Sequence, residues 1–387
     1  MSTPAPTPPF IAIACGGTGG HLFPGLAVAG ELRRRGCRVA LLISPKEVDQ
    51  QAVAAEKDLE IVTLPAVALQ NGNYFSFARS FWRSWRTART YFAAQPPRAV
   101  LAMGGFTSAP PVLAAKKFRA ATFLHESNTI PGRANRLLAR WVDGAFVGFP
   151  GTAGLLPTAS VTVSGTPVRP GFQSRDPAGC RTQLGLDPHR PTILIMGGSQ
   201  GAHGLNQLIL SVLPRLAGRD WQWLHLTGAA DFDAVRKAYV AAGLKAVVKP
   251  FMPEMELALG AATAAVSRSG ASSLAEIAAL RLPTLLVPYP AAADDHQLHN
   301  ALAFTNSGAA RLLEQKTGTP EKCFAALLDL VENEQSRAGL RTALVRWHAP
   351  RAADEIADHL LNVIARRADK HRTAGARVAC DCCEAGV

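Results

Sequence analysis

Cys15-Gly16-Gly17-Thr18-Gly19-Gly20-His21 follows the apolar run Phe10 to Ala14 and precedes a helix-like segment from Leu26 to Arg35. That order reads as strand, glycine turn, helix. Four glycines around Thr18 let the backbone pass close to a ligand, and the N–H groups opening the next helix, at the positive end of its dipole, suit an anion such as a phosphate. His21 stands at that helix mouth. Alone, the stretch reads equally well as a tight turn with a solvated histidine. Repetition decides: Thr192 to Met196 is another apolar strand, followed by Gly197-Gly198-Ser199-Gln200-Gly201-Ala202-His203-Gly204 and a helix from Leu205 to Leu216. Two such units imply an α/β protein with two doubly wound, Rossmann-like domains facing each other across a cleft.

A chain of 387 residues exceeds one ordinary core, and its 48% apolar residues give ample material to bury. Met1 to Pro9 is rich in Pro, Ser and Thr and carries no basic residue, unlike a secretory signal. No uninterrupted apolar run reaches the ~18 residues of a membrane-spanning helix, so the expectation is a chain kept in the cytoplasm. Cysteines at 15, 37, 180, 323, 380, 382 and 383 form no disulfide framework and read as reduced thiols. The net charge of +12 is unevenly placed: residues 1–169 carry 18 Lys and Arg against 8 Asp and Glu, residues 170–387 carry 23 against 21. Between Ile61 and Trp141, 11 basic residues accompany a single acid, Glu126, which points to an anionic surface as partner.

The strand-like runs end in polar or glycine-rich turns. Arg38 to Ser44 ends Ser44-Pro45-Lys46, without the acid that a dinucleotide-binding unit offers the ribose, which argues against NAD(P). Ala99 to Met103 runs into Gly104-Gly105-Phe106-Thr107-Ser108, Thr122 to Leu124 into His125-Glu126-Ser127-Asn128, and Ala145 to Val147 into a further loop. Ligands of open parallel sheets lie at the carboxyl ends of strands, so these turns line one crevice. After Val161 to Ser164, the stretch Gly165 to Gly171 reads as a linker. Further strands are expected at Trp223 to Leu226, Ala246 to Lys249, Ala264 to Ser267 and Thr284 to Val287.

Ser267-Arg268-Ser269-Gly270-Ala271-Ser272-Ser273-Leu274-Ala275-Glu276 again opens a helix at a strand end. Ser273 and Glu276 have capping-box spacing; the same helix mouth also suits a diphosphate, with a nucleotide ribose diol on Glu276. Asp231-Phe232-Asp233 has the D-x-D pattern of metal sites but reads as a helix N-cap. The cysteines at the C-terminus lack paired zinc spacing, so no metal is expected.

Asn73 to Ala93 places Arg79, Arg83, Arg86 and Arg89 on one helical face, with Phe75, Phe81, Trp82 and Trp85 clustered largely away from it. Two readings stay open. Either the aromatics face the core, or Phe75, Arg79, Trp82, Arg83, Trp85 and Arg86 form a face that dips into the headgroups of an anionic membrane. A nucleic-acid surface would show the same mixture.

The ordered set Ile13 to Gly25, Gly104-Gly105-Phe106, His125-Glu126-Ser127-Asn128, Gly165-Thr166-Pro167-Val168-Arg169, Gly197-Gly198-Ser199-Gln200-Gly201-Ala202 and Arg268 to Glu276 closely resembles the MurG family, over residues 10 to 365. The resemblance implies a GT-B fold. Residues 10–168 would bind the acceptor and the membrane, 169–345 would bind UDP-GlcNAc, and 346–367 would form a helix returning to the first domain, with 1–9 and 368–387 disordered. It implies transfer of GlcNAc from UDP-GlcNAc to the 4-hydroxyl of lipid-linked MurNAc-pentapeptide, converting lipid I to lipid II in peptidoglycan synthesis. The implied place is the cytoplasmic face of the bacterial inner membrane, peripherally bound to anionic lipids, with no nucleic acid and no cofactor. Carried over by motif, donor contacts fall on Thr18, Gly19, Gly20, Asn128, Arg169, Ser199, Met252, Ala271, Ser272, Ser273, Leu274, Ala275, Glu276 and Gln297, with the Met252 backbone at the uracil edge. Where family members often have His, this sequence has Ala291.

The family reaction inverts an α-linked sugar, so the acceptor hydroxyl attacks in line while charge accumulates on the leaving diphosphate. Helix N-termini supply fixed donors for that charge, so no metal is required in principle. His21 is the candidate general base, because a helix N-terminus disfavours imidazolium. A UDP-GlcNAc 2-epimerase would share the frame but would carry paired acids and no basic-aromatic face. A diacylglycerol-type lipid glycosyltransferase would share frame and membrane affinity. A basic nucleic-acid-binding protein would account for the charge and for none of the glycine loops.

Overall fold

The computed structural model describes residues 8–54, 56, 58–66, 73–158, 160–198 and 201–384. The first unit runs β1 (Phe10–Ala14), α1 (Gly19–Arg34), β2 (Arg38–Ile43), α2 (Glu47–Val53), β3 (Glu60–Thr63), α3 (Tyr74–Ala94), β4 (Ala99–Ala102), α4 (Ala109–Lys116), β5 (Ala121–Glu126), α5 (Arg133–Leu138), β6 (Gly144–Val147) and β7 (Val161–Val163). Its strands form one parallel sheet in the order β3-β2-β1-β4-β5-β6-β7. Ile13 lies between Leu41 and Leu101. All five residues of β1 are buried, as a central strand with helices on both faces requires.

The second unit runs α6 (Pro177–Gln183), β8 (Thr192–Met196), α7 (His203–Val212), β9 (Gln222–Leu226), α8 (Phe232–Ala241), β10 (Ala246–Lys249), α9 (Met255–Ala261), β11 (Ala264–Ser267), α10 (Ala271–Leu280), β12 (Thr284–Leu286), α11 (His296–Asn306), β13 (Arg311–Leu312), α12 (Pro320–Glu332) and α13 (Glu334–Leu344). Its parallel sheet has the order β10-β9-β8-β11-β12-β13. In each sheet the order reverses at the first strand of the unit, β1 or β8, so the turn after that strand opens into the crevice where ligands bind. Both glycine turns are there.

Two strands escape the sequence reading. β3 is part-exposed and begins with Glu60, and β13 is two residues long, so neither shows an apolar run. Helix α1 begins at Gly19, well before the apolar pattern signals it, with Thr18 extended at its N-cap.

The last helix, α14 (Ala352–Glu384), crosses back to the first unit. Ile356, Ala357 and Leu360 are fully buried in one cluster with Ile11, Leu22 and Leu32. Arg35, after α1, is paired with Glu31, Asp354 and Asp358. The backbone remains helical past Arg367 to Glu384, where the sequence suggested a structureless tail from 368. The segment is rich in Ala and Arg, good helix formers, and each residue added to a formed helix costs little. Of the N-terminal stretch 1–9, residues 1–7 lie outside the described residues. Replacing Leu360 by Ala should lower unfolding free energy by about 2–5 kcal/mol, the cost of a cavity in a packed core. Urea unfolding measures this, and a loss below about 1 kcal/mol would place α14 outside that core.

Candidate active site

The turn after β1 is held by contacts that only glycine permits. A Cβ on Gly16 would stand 2.3 Å from the Ser44 nitrogen, and Gly17 has φ +110°. The Gly17 N–H donates to Asp49 Oδ2 at 2.6 Å, and the Ser44 hydroxyl donates to the same oxygen at 2.5 Å. An acid therefore does follow β2, but three residues beyond Lys46 on α2, fully buried and holding the glycine turn rather than facing a ribose. Sequence reasoning missed Asp49 because it looked only at the strand end. Lys46 Nζ donates to the Gly17 carbonyl at 3.0 Å, and Thr107 Oγ1 donates to the Gly16 carbonyl at 2.8 Å. The thiol of Cys15 is buried and pushed far up by burial and then by Asp49, so it supplies no thiolate.

His21 lies against the second glycine turn. Cβ atoms on Gly104 and Gly105, both at positive φ, would come within 2.9 and 3.0 Å of its ring. Its Nδ1 is 3.1 Å from Thr18 Oγ1. Donation from Nδ1–H to that oxygen leaves Nε2 with the lone pair a base needs. Burial lowers the His21 pKa to about 4, Asp49 pulls it upward, and His125, His296 and Lys46 push it down. The ring is neutral at pH 7.

After β5, Glu126 organises the loop that carries Asn128. One oxygen accepts from the Asn128 N–H at 2.9 Å and its side chain at 3.1 Å; the other accepts from Gly132 and from Asn135, both at 2.9 Å. His125 is fully buried between the Gly165 carbonyl, 3.0 Å from Nε2, and Ser127 Oγ, 3.2 Å from Nδ1. Accepting at Gly165 fixes the Nε2–H tautomer, and burial holds its pKa near 4.

The two units meet at this level. Asn300 of α11, fully buried, donates to Asn128 Oδ1 at 3.0 Å and to the Ser269 carbonyl at 3.1 Å, while its Oδ1 accepts from the Thr129 N–H and hydroxyl at 2.9 and 3.0 Å. Ser272, at the start of α10, donates to the Gly20 carbonyl at the start of α1 at 3.3 Å. The N-termini of α1 and α10 therefore face one another, each carrying roughly half a positive charge from its dipole. Gln297 is tied to Tyr289, whose N–H donates to Oε1 at 3.0 Å.

Helix α10 starts at Ala271 with Gly270 as N-cap, so Ser273 is three residues inside and the expected capping box does not form. That frees Glu276, which is buried, and burial raises its pKa to about 7, with Arg169 opposing and Glu256 adding to the rise. Arg169 lies between the rings of Phe23 and Phe172, at 4.7 and 5.4 Å, with Glu256 at 4.0 Å. Met252 is buried in the second unit's core. Ser199 lies outside the described residues. Thr18, Gly19, Gly20, Asn128, Gln297 and Ala271 through Glu276 thus line the facing ends of the two units. Asp231 occupies the N-cap position of α8 but makes no capping bond; its carboxylate instead accepts from Asn206 at 2.7 Å and pairs with His203 at 2.9 Å. The D-x-D carboxylate is spent within the fold.

On α3 the buried stripe is Ser80, Ser84, Ala88 and Phe92; the three small residues let the helix sit close to α4, and Phe92 fills the core at its end. Phe75 is 81% exposed and Trp82 54%, while Trp85 packs partly on the core. Arg86 lies 5.5 Å over the Trp82 ring.

Two parallel-sheet units closing on opposed helix N-termini give the frame, and the class follows from the family models, since both halves match one family of glycosyltransferases. Residues 11–147 match the glycosyltransferase family 28 N-terminal domain, and residues 192–356 the glycosyltransferase family 28 C-terminal domain. A protein of Gloeobacter violaceus is 35% identical over 90% of this chain and 97% of its own, and one of Solibacter usitatus is 38% identical over 92% and 96%. Each is named UDP-N-acetylglucosamine–N-acetylmuramyl-(pentapeptide) pyrophosphoryl-undecaprenol N-acetylglucosamine transferase. The crystal structure of Acinetobacter baumannii MurG superposes with a TM-score of 0.72 at 27% identity, covering 92% of this chain and 100% of that one. The chain belongs to the MurG family of glycosyltransferases.

Glu276 gives the site a pH signature. A carboxylate accepting two hydroxyl hydrogen bonds must be ionised, so a diol ligand binds best above the group's pKa and loses affinity as pH falls through about 7. The KM for UDP-GlcNAc should rise about tenfold from pH 8 to pH 6. Glu276→Gln should give a higher KM that is flat over that range; a flat profile in the wild type would remove the diol from Glu276.

Proposed function

We propose that the chain transfers N-acetylglucosamine from UDP-GlcNAc to the 4-hydroxyl of a lipid-linked MurNAc-pentapeptide at a membrane surface. The observation that carries the reading is the meeting of the α1 and α10 N-termini, with a neutral histidine at the same mouth. The diphosphate of the donor sits where these N–H groups converge, Glu276 takes the ribose hydroxyls, and Gln297 and Asn128 address the sugar. As the acceptor oxygen attacks the anomeric carbon and the C–O bond to UDP breaks, negative charge grows on the diphosphate, and the fixed donors stabilise it without reorganising. His21 Nε2 takes the acceptor's proton. The imidazolium that forms is stabilised by buried Asp49, whose charge already favours it.

The relatives' names support this donor and acceptor, since each specifies a UDP-linked N-acetylglucosamine and an undecaprenol-linked acceptor. The exposed Phe75 and Trp82, set among Arg79, Arg83 and Arg86, support peripheral attachment to anionic lipid, with Trp85 buttressing the helix from beneath. Among the described residues no helix is long and apolar enough to cross a membrane. The cytoplasmic face is the side that has a nucleotide-sugar supply, so we assign the protein there.

His21→Ala should leave UDP-GlcNAc binding within about threefold and lower kcat by at least about 100-fold, as for loss of a general base. Single-turnover transfer to a short-chain lipid I analogue measures it, and normal turnover would remove His21 from the mechanism. Changing Phe75, Trp82 and Trp85 together to Ser should weaken binding to anionic vesicles at least about tenfold while circular dichroism stays unchanged. Unchanged vesicle binding by the folded variant would exclude α3 as the anchor.

A further inference from the structure

A cavity of about 360 Å³ lies where the chain passes between its two units, at the C-terminal end of α10, about a turn beyond Glu276. Its walls come from the linker after β7, from the last turn of α10, and from the segment leading into α14. That volume falls in the range of small-ligand sites. The ionisable groups in its lining are Arg169, Arg281 and His348; no Asp or Glu is among them, and Gln173 and Ser174 add neutral hydrogen-bonding groups. Arg169 Nε is buried with no hydrogen-bond partner among the described residues. Arg281 holds the left-handed conformation at φ +50°, where glycine is usual, so a basic side chain is kept at this helix end despite backbone strain. His348 is close enough to Arg281 to be held below its usual pKa, after the larger effect of burial.

The concave site has two guanidiniums and an imidazole in its wall and no carboxylate of its own; the Glu256 carboxylate, 4.0 Å from Arg169, pairs with only one of the two guanidiniums, so the lining keeps an excess of positive charge. We propose that this hinge cavity binds a small multiply charged anion bearing phosphoryl groups, and that its occupancy weakens binding of the nucleotide-sugar donor. Arg169 provides the coupling. It lines the cavity, and its charge also favours ionised Glu276. An anion drawn to Arg169 withdraws that support, so the carboxylate that receives the ribose diol forms less readily. The coupling is reciprocal: bound donor weakens the anion by the same factor. The coupling half of the inference rests on the donor placement proposed above, whereas anion binding itself does not.

The test uses inorganic pyrophosphate on the full chain, followed by calorimetry. In wild type, pyrophosphate should raise the Kd of UDP-GlcNAc at least about fivefold and then level off, as two linked sites do. Simple competition at the donor site would raise it without limit. The pair Arg281→Ser with His348→Gln, which touches no proposed donor contact, should leave UDP-GlcNAc affinity within about twofold and remove the plateau-limited effect. Ser174→Asp, on the exposed linker, should remove it independently by repulsion, which covers the case of a poorly folded double variant. If the wild-type effect rises without limit and both variants match it, the anion acts only at the donor site and the proposal falls. Loss of direct pyrophosphate binding in the variants alongside undetectable UDP-GlcNAc binding in wild type would uphold the cavity and overturn the donor reading instead.

Discussion

One buried carboxamide, that of Asn300, holds the two halves of the molecule in register. Its donors and acceptor are all engaged, to Asn128, Thr129 and Ser269, and three of those bonds cross from one unit to the other. Each such bond contributes only about 0.5–1.5 kcal/mol net, because in an open form the same groups would bond to water. The penalty for leaving any of them dry and unpaired is larger. Contacts of this kind fix the register yet cost little to exchange for water, which suits a cleft that must admit a donor and release a nucleotide. Exposed pairs from Arg133 and Arg136 to Asp294 lie across the same junction and add little in water.

With that register set, burial governs the chemistry. The same loss of water pushes the two principal ionisable groups in opposite directions: His21 down to about 4 and Glu276 up to about 7. Both shifts favour the neutral form, as removal from water must. At neutral pH the histidine can accept a proton and the carboxyl is poised to lose one. His125 is neutral for the same reason but has both ring nitrogens engaged, so it braces the linker at Gly165 and is not available for proton transfer.

Much of the fold was legible because a parallel sheet covered on both faces needs continuous apolar runs, and glycine turns after two of them marked the crevice. β1, β8 and β11 could be read residue by residue. Edge strands β3 and β13 could not, since one face of an edge need not be apolar. At α10 the sequence left two compatible readings, a capping box from Ser273 to Glu276 and a ligand site at the same helix mouth; Gly270 already ends the extended backbone, so the helix begins earlier than a Ser273 cap would require, and Glu276 is left buried without that partner.

By itself the sequence determined the two-unit α/β frame, the glycine turns and the set of polar residues at strand ends, because periodicity and glycine placement are local properties of the chain. Tertiary structure alone decided that Asp49 pins Gly17, that Asn300 reaches Asn128, and that Ser272 meets Gly20. Those partners are separated by 32, 172 and 252 residues. No local pattern specifies contacts over such distances; they exist only once each sheet is built and the two sheets are set face to face. The opening stretch from Cys15 to His21 shows the division. Its composition announced a close backbone approach, and the fold supplied what approaches: a buried carboxylate from below, a second glycine turn beside the imidazole, and the mouth of another helix across the cleft.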